Sequence, residues 1–183
     1  MNPSGSTPFS DIADFKSEIA VINPPRADEI RDLFVQHFIN REHPNVASRI
    51  ATLRQFSDGP AYVGYLWDYL ARREPVSEST VWARLSAIDA NVYAMWDIHS
   101  ESLIRIPNYW KLPKRSLVEA TIETIHSGLA FLPEDLYIFD PAYSWCAVLT
   151  HEQTDAGDRY CLFALPTSAT DAELTEEVVG SSK

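Results

Sequence analysis

The sequence predicts an α+β fold: an antiparallel sheet formed mainly by a C-terminal meander and packed against helices mostly from the N-terminal half. Three observations carry this. Apolar residues recur at helical spacing early in the chain, strand-like apolar runs prevail from residue 92 onward, and the last three runs follow one another through short turns that suit antiparallel pairing. Helices gathered before strands point to α+β rather than to an alternating parallel sheet, with the helices on one face.

Residues 1–8 are rich in Pro, Ser and Gly and are expected to be disordered; the folded domain is expected to span 9–166. Ile30, Leu33, Phe34, His37 and Phe38 follow the i, i+3, i+4, i+7, i+8 rule of a helix face, and so do Tyr62, Tyr65, Leu66, Tyr69 and Leu70. Pro44 suits a first helical turn, so a helix after it should bury Val46, Ile50 and Leu53. A further helix over 77–88 should bury Val81, Trp82 and Leu85. Ser116 and Glu119 have the spacing of a capping box and Gly128 is a natural terminator, which predicts a helix over 117–127.

Strands are expected at 92–98, 136–139, 145–151 and 160–165, with 104–106 as a short edge strand. The turn between the last two is centred near residue 156, which places Cys161 opposite His151 and Cys146 opposite Pro166. One face of this hairpin then carries Trp145, Ala147, Leu149, Phe163 and Leu165, a core composition.

The 183 residues, 45% of them hydrophobic with five Trp, eight Tyr and eight Phe, suffice for one domain that needs no metal or disulfide to fold. The N-terminus lacks a basic region followed by an apolar one, no later run approaches the roughly 20 residues that span a bilayer, and a cytoplasmic location is expected. Two cysteines do not make a disulfide framework, so reduced thiols are expected. The formal charge of −11 opposes attraction to phosphate backbones and argues against direct nucleic-acid binding. The acidity is uneven: residues 134–183 hold ten acidic side chains against Arg159 and Lys183, and 167–183 read as a flexible acidic tail.

No nucleotide-binding loop, zinc-ligand spacing or nucleophile elbow is present. A His151/Cys161 pair is conceivable across the hairpin, but the core composition of that face makes an inert buried thiol the better expectation. His151 and Glu152 are adjacent on a strand and point to opposite faces, so His151 is expected to anchor a turn while Glu152 meets solvent. His99 near Glu101, and His126 alone, have no ligand-like partners, and no metal or other cofactor is expected. Arg105, Lys111, Lys114 and Arg115, interleaved with Tyr109 and Trp110, form the basic cluster; in so acidic a chain its expected role is internal charge balance against Glu101, Glu119 and the acidic hairpins. Trp67 falls off the aromatic stripe and, if exposed, would anchor an interface.

Leu66-Trp67, then the strand from Leu136 to Asp140, then Ser144-Trp145-x-x-Val148-x-Thr150-His151-Glu152 resemble a family of small, uncharacterised bacterial cytosolic domains. The matching residues cover about 20 positions, and the remainder is similar in outline. Families of this type include proteins regarded as immunity proteins, which bind and block a cognate toxin. The resemblance implies a non-enzymatic, acidic inhibitor of a basic bacterial toxin domain, acting by occlusion of its active site. Glu134, Asp135, Glu152, Asp155 and Asp158, on turns and strand ends, and Trp67 are the expected contacts with a basic protein partner. Two other expectations stand beside it: a small hydrolase or transferase using His151 with Glu152 or Cys161, and a regulatory or scaffolding domain acting through its acidic tail.

Overall fold

The computed structural model describes residues 9–50, 53–109 and 111–168. The expected disorder at 1–8, the tail beyond 168 and Trp110 lie outside them. The elements in chain order are α1 (Ile12–Ser17), β1 (Ala20–Ile22), α2 (Arg26–Phe38), α3 (Val46–Arg49), β2 (Arg54–Phe56), β3 (Gly59–Ala61), a 3-10 turn (Leu66–Tyr69), β4 (Arg72–Val76), α4 (Glu78–Leu85), β5 (Asn91–Trp96), β6 (Leu117–Thr121), α5 (Ile122–Ser127), a second 3-10 turn (Leu129–Phe131), β7 (Leu136–Phe139), β8 (Cys146–Gln153) and β9 (Arg159–Leu165). This is an α+β fold.

Seven strands form one antiparallel sheet in the order β1-β6-β5-β7-β8-β9-β4, and β2 with β3 makes a separate hairpin. The expected meander β7-β8-β9 is present, and β7, in the middle of the sheet, is buried along its whole length. Strand alternation delivers residues to two cores. On one side Met95, Tyr137, Phe139, Cys146, Val148 and Leu162 meet Ile30, Phe34 and Phe38 of α2. On the other, Trp96, Leu136, Ile138, Ala147, Leu149 and Cys161 meet Phe15, Val81, Leu85 and Ile125 of α1, α4 and α5. The sheet is therefore covered on both faces, not on one as the order of helices and strands suggested. The short α1 and α5 supply part of the second layer; α5 is the C-terminal half of the helix expected over 117–127, whereas α1 carries no apolar stripe long enough to announce itself.

Three expected elements differ, each because backbone groups found more distant partners. The 117–127 segment is a strand followed by a helix: Val118 and Glu119 pair with both β5 and β1, and the side chain of Thr121 caps α5 by accepting from Thr124 N at 3.2 Å. Ser116, the supposed cap, is buried and donates its hydroxyl to Pro113 O. Between 62 and 70 the helical spacing is real and Tyr62, Leu66, Tyr69 and Leu70 are buried, but the chain is extended around a single 3-10 turn. Its N–H groups are spent elsewhere: Tyr62 on Ile98 O, Leu66 on Asp97 Oδ1 and Trp67 on the Tyr137 hydroxyl. Residues 104–106 are loop, entered by a turn in which Ser100 O receives the N–H groups of Leu103 and Ile104. On α2 Leu33 is exposed rather than buried and Arg31 takes a buried place; the helix after Pro44 ends at Arg49, and Leu53, beyond it, is exposed rather than buried.

Gly128 ends α5 with an N–H bonded to Thr124 O and Ile125 O, and a β-carbon there would overlap the ring of Phe15. Phe15 is fully buried and stacks at 5.7 Å on Phe131, so it has nowhere to retreat. Gly128→Ala is expected to cost about 2 kcal/mol by overpacking, read as a lowered midpoint in urea unfolding. A variant as stable as the parent would show that this corner is loosely packed.

Candidate functional site

The site begins at an irregularity in the β8–β9 ladder. Near the turn, Gln153 faces Arg159 as expected, but a bulge between Leu149 and Gln153 shifts the pairing, so Cys161 faces Leu149 and Cys146 faces Ala164. The bulge is held closed by the chain itself. Thr150 donates its hydroxyl to Tyr160 O at 2.7 Å and accepts from Glu152 N, while Arg159 gives Nε to Thr150 O at 2.8 Å and Nη2 to Glu134 O at 2.7 Å. A bulge re-aims the side chain it carries. Here it turns His151 away from Cys161 and toward Tyr65 and Trp67, whose rings lie 5.1 and 6.3 Å from the imidazole.

His151 meets a carboxylate there. Asp135, immediately before β7, is 1% exposed and accepts from His151 N at 3.0 Å; its two oxygens lie 2.9 and 3.0 Å from His151 Nδ1. A carboxylate only accepts, so Nδ1 carries the proton and Nε2 of the neutral ring is left as an acceptor. His151 is therefore a turn anchor, as expected, with Asp135 as its partner, and Glu152 is exposed. The ring borders an open groove of about 390 Å³ lined also by Leu129, Ala130, Leu132, Pro133, Glu134, Glu152, Gln153 and Arg159.

Behind the groove lies a buried polar network. Tyr65 sits between the two histidines, its ring edge-on to His99 at 4.7 Å. His99 is fully buried with neither ring nitrogen hydrogen-bonded, and Nε2 is 4.0 Å from Asp97 Oδ2. Asp97 accepts from Leu66 N at 3.1 Å and from the Tyr137 hydroxyl at 2.7 Å, and that hydroxyl accepts from Trp67 N at 2.9 Å. Tyr109 hydrogen-bonds through its hydroxyl to the backbone of Asp97 and His99. Burial, helped by repulsion from Asp135, lifts the Asp97 carboxyl to about 7, and burial depresses His99 to about 4. Burial also lifts the Tyr65 phenol to about 12, with Asp135 and Asp97 adding to it.

The expected site residues divide accordingly. Glu134 and Glu152 line the groove with exposed side chains, and Asp155 and Asp158 are exposed on the β8–β9 turn, where Thr154 N bonds Asp158 O. Asp135 is not a surface residue: its carboxylate is consumed by His151. Trp67 is not exposed either; it is 6% accessible, because the turn that carries it is pinned to Tyr137 and Asp97. Cys161 and Cys146 are unbonded and buried, and burial lifts the Cys161 thiol to about 11 and that of Cys146 well above its ordinary value. A Cys161/His151 pair has no geometry here. The basic cluster is largely balanced internally, by Asp28 on Arg115 and Asp58 on Lys114 rather than by Glu101 and Glu119; Lys111 lies over the Phe131 ring.

The spacing of Asp97 and His99, two apart where a strand runs out, was a signal in the sequence for shared surroundings; Tyr65, Tyr137 and Asp135 join them only through tertiary folding. Among the described residues no group of three or more His, Cys, Asp or Glu side chains is arranged to hold a metal ion, and no helix is long and apolar enough to cross a membrane. Comparison with known proteins finds no matching family model, no matching curated protein and no matching solved structure.

Proposed function

We propose that this protein is a binding protein of the immunity or antitoxin kind, which inhibits a basic bacterial toxin domain by covering its active site. The observation that carries the reading is the excess of negative over positive charge around the groove, where Arg159 faces Glu134, Glu152, Asp155 and Asp158. Glu134 and Glu152 border it with carboxylates that make no ion pair or hydrogen bond among the described residues, Asp155 and Asp158 extend the charge along the adjoining turn, and Arg159 bonds two backbone carbonyls and lies 3.8 Å from Glu78. Such a field speeds encounter with a basic cleft and opposes encounter with anions. The reading goes with a reducing cytoplasm, in which the unbonded Cys146 and Cys161 would stay thiols.

The test is a pulldown from host lysate at low and high salt, followed by kinetics with the basic protein retained. Reversing Glu134, Glu152, Asp155 and Asp158 to Lys together is expected to slow association at least about tenfold and to flatten its salt dependence. Unchanged association would remove this face from the interface.

A second reading is favoured by the His151–Asp135 pair: hydrolysis by a water that gives its proton to His151 Nε2. The groove offers that base no hydroxyl or thiol nucleophile, since the Thr150 hydroxyl is engaged with Tyr160 O and Cys161 is fully buried and does not line the groove. Hydrolytic activity lost in His151→Ala with folding retained would establish it.

A further inference from the structure

We propose that the groove takes one arginine side chain of the basic partner, with Nε2 of His151 as its central acceptor. This rests on the reading of the groove as part of the binding face and adds the chemistry of what enters it. Three features coincide in one cavity. One wall is Leu129 and Ala130, backed by the buried Leu132 and Pro133, and gives the methylenes of an arginine stem a short apolar surface to lie on. Its rim carries the carboxylates of Glu134 and Glu152. Between them stands an imidazole locked by Asp135 through Nδ1, with no partner for Nε2 among the described residues.

A guanidinium has five N–H donors in a plane and no acceptor, so it matches a site whose free polar groups are two carboxylates and one lone-pair nitrogen. A lysine ammonium would satisfy one of these at a time; the planar fork can meet two. The site is preorganised: the bulge that presents His151 is held by Arg159 and Thr150, and Asp135 is buried, so binding has little side-chain freedom left to remove. Arg159, the one Lys or Arg among the described lining residues, donates Nε to Thr150 O and Nη2 to Glu134 O and has Nη1 3.8 Å from Glu78, so it is not paired with the rim carboxylates.

The test uses the full chain and N-acetyl-arginine amide as probe, followed by NMR shifts of the His151 ring and of the amides of residues 134 and 150–153. Saturable shifts confined to these positions are expected at millimolar probe, with N-acetyl-citrulline amide, the neutral isostere, giving none. The Glu134→Gln/Glu152→Gln variant, whose side chains make no contacts that the fold needs, is expected to weaken the arginine probe at least about fivefold. Shifts absent from the groove, equal shifts with citrulline, binding by N-acetyl-lysine amide as tight as by arginine, or an unaffected double variant would each overturn the proposal. A basic partner that still binds the double variant with parental affinity and salt dependence would overturn the arginine site alone; failure to bind any basic protein would count against the wider reading.

Discussion

Asp97→Ala is expected to destabilise the protein by about 4 kcal/mol, because it strands two buried donors, Leu66 N and the Tyr137 hydroxyl, at about 1–3 kcal/mol each. For a chain of this length that is a fall of roughly 10 °C in melting temperature. Asp97→Asn should recover part of the loss through its carbonyl oxygen. A pH series separates the carboxyl from its hydrogen bonds. Folding raises the Asp97 carboxyl from 3.8 to about 7, so the stability gained by holding its proton is fully present below 3.8 and is lost as pH rises through about 7. Folding lowers His99 from 6.5 to about 4, so the stability gained by keeping it neutral is present above 6.5 and is lost as pH falls through about 4. Between about 4 and 6.5 the two dependences oppose each other. Removing either member should expose the other: Asp97→Asn should lose stability as pH is lowered across that window, and His99→Leu should lose it as pH is raised. Parallel pH profiles for the two variants would show that the pair does not hold its protons in this way.

Asp135→Ala is expected to cost about 3 kcal/mol, since one buried carboxylate supports both the backbone N–H and the ring of His151 and charge-assisted bonds contribute about 1.5–3 kcal/mol each. Asp135→Asn, able to accept from the backbone N–H, should recover a good part of that stability. Asp135→Ala should not hold the imidazole in the Nδ1-protonated tautomer, which ¹H–¹⁵N correlation of the ring reports directly. If the tautomer persisted in Asp135→Ala, His151 would be oriented by something other than this carboxylate, and the preorganised acceptor in the groove would lose its basis.

Both variants act on groups that look unremarkable in the sequence. Asp135 reads as one of several acids on a turn, and its burial follows from the bulge at Thr150 and His151, which no residue pattern in β8 announces. The bulge also explains why a symmetrical hairpin placed Ala147, Leu149, Cys161, Phe163 and Leu165 on one core face correctly yet gave Cys161 the wrong partner and misplaced His151. Residues beyond the bulge keep their faces when pairing shifts by two, whereas the residue within it is turned. Trp67 shows the same limit from another side. Its distance from a helical stripe suggested exposure, but the stripe was never a helix, because Tyr62, Leu66 and Trp67 give their N–H groups to Ile98, Asp97 and Tyr137.

Local periodicity and composition were enough for the helix Arg26–Phe38, the strand β5, the meander β7-β8-β9, the unbonded cysteines and the exposed acids Glu134, Glu152, Asp155 and Asp158. Only the tertiary structure decided which face a residue meets and which partner a buried polar group finds. Hydrophobic spacing is a property of neighbours along the chain, while the ladder that made 117–121 a strand, the carboxylate that oriented His151 and the enclosure that shifted Asp97 and His99 all come from residues distant in sequence. Burial makes an unpaired polar group costly, so long-range hydrogen bonds override local preference at the places where this protein's candidate site is built.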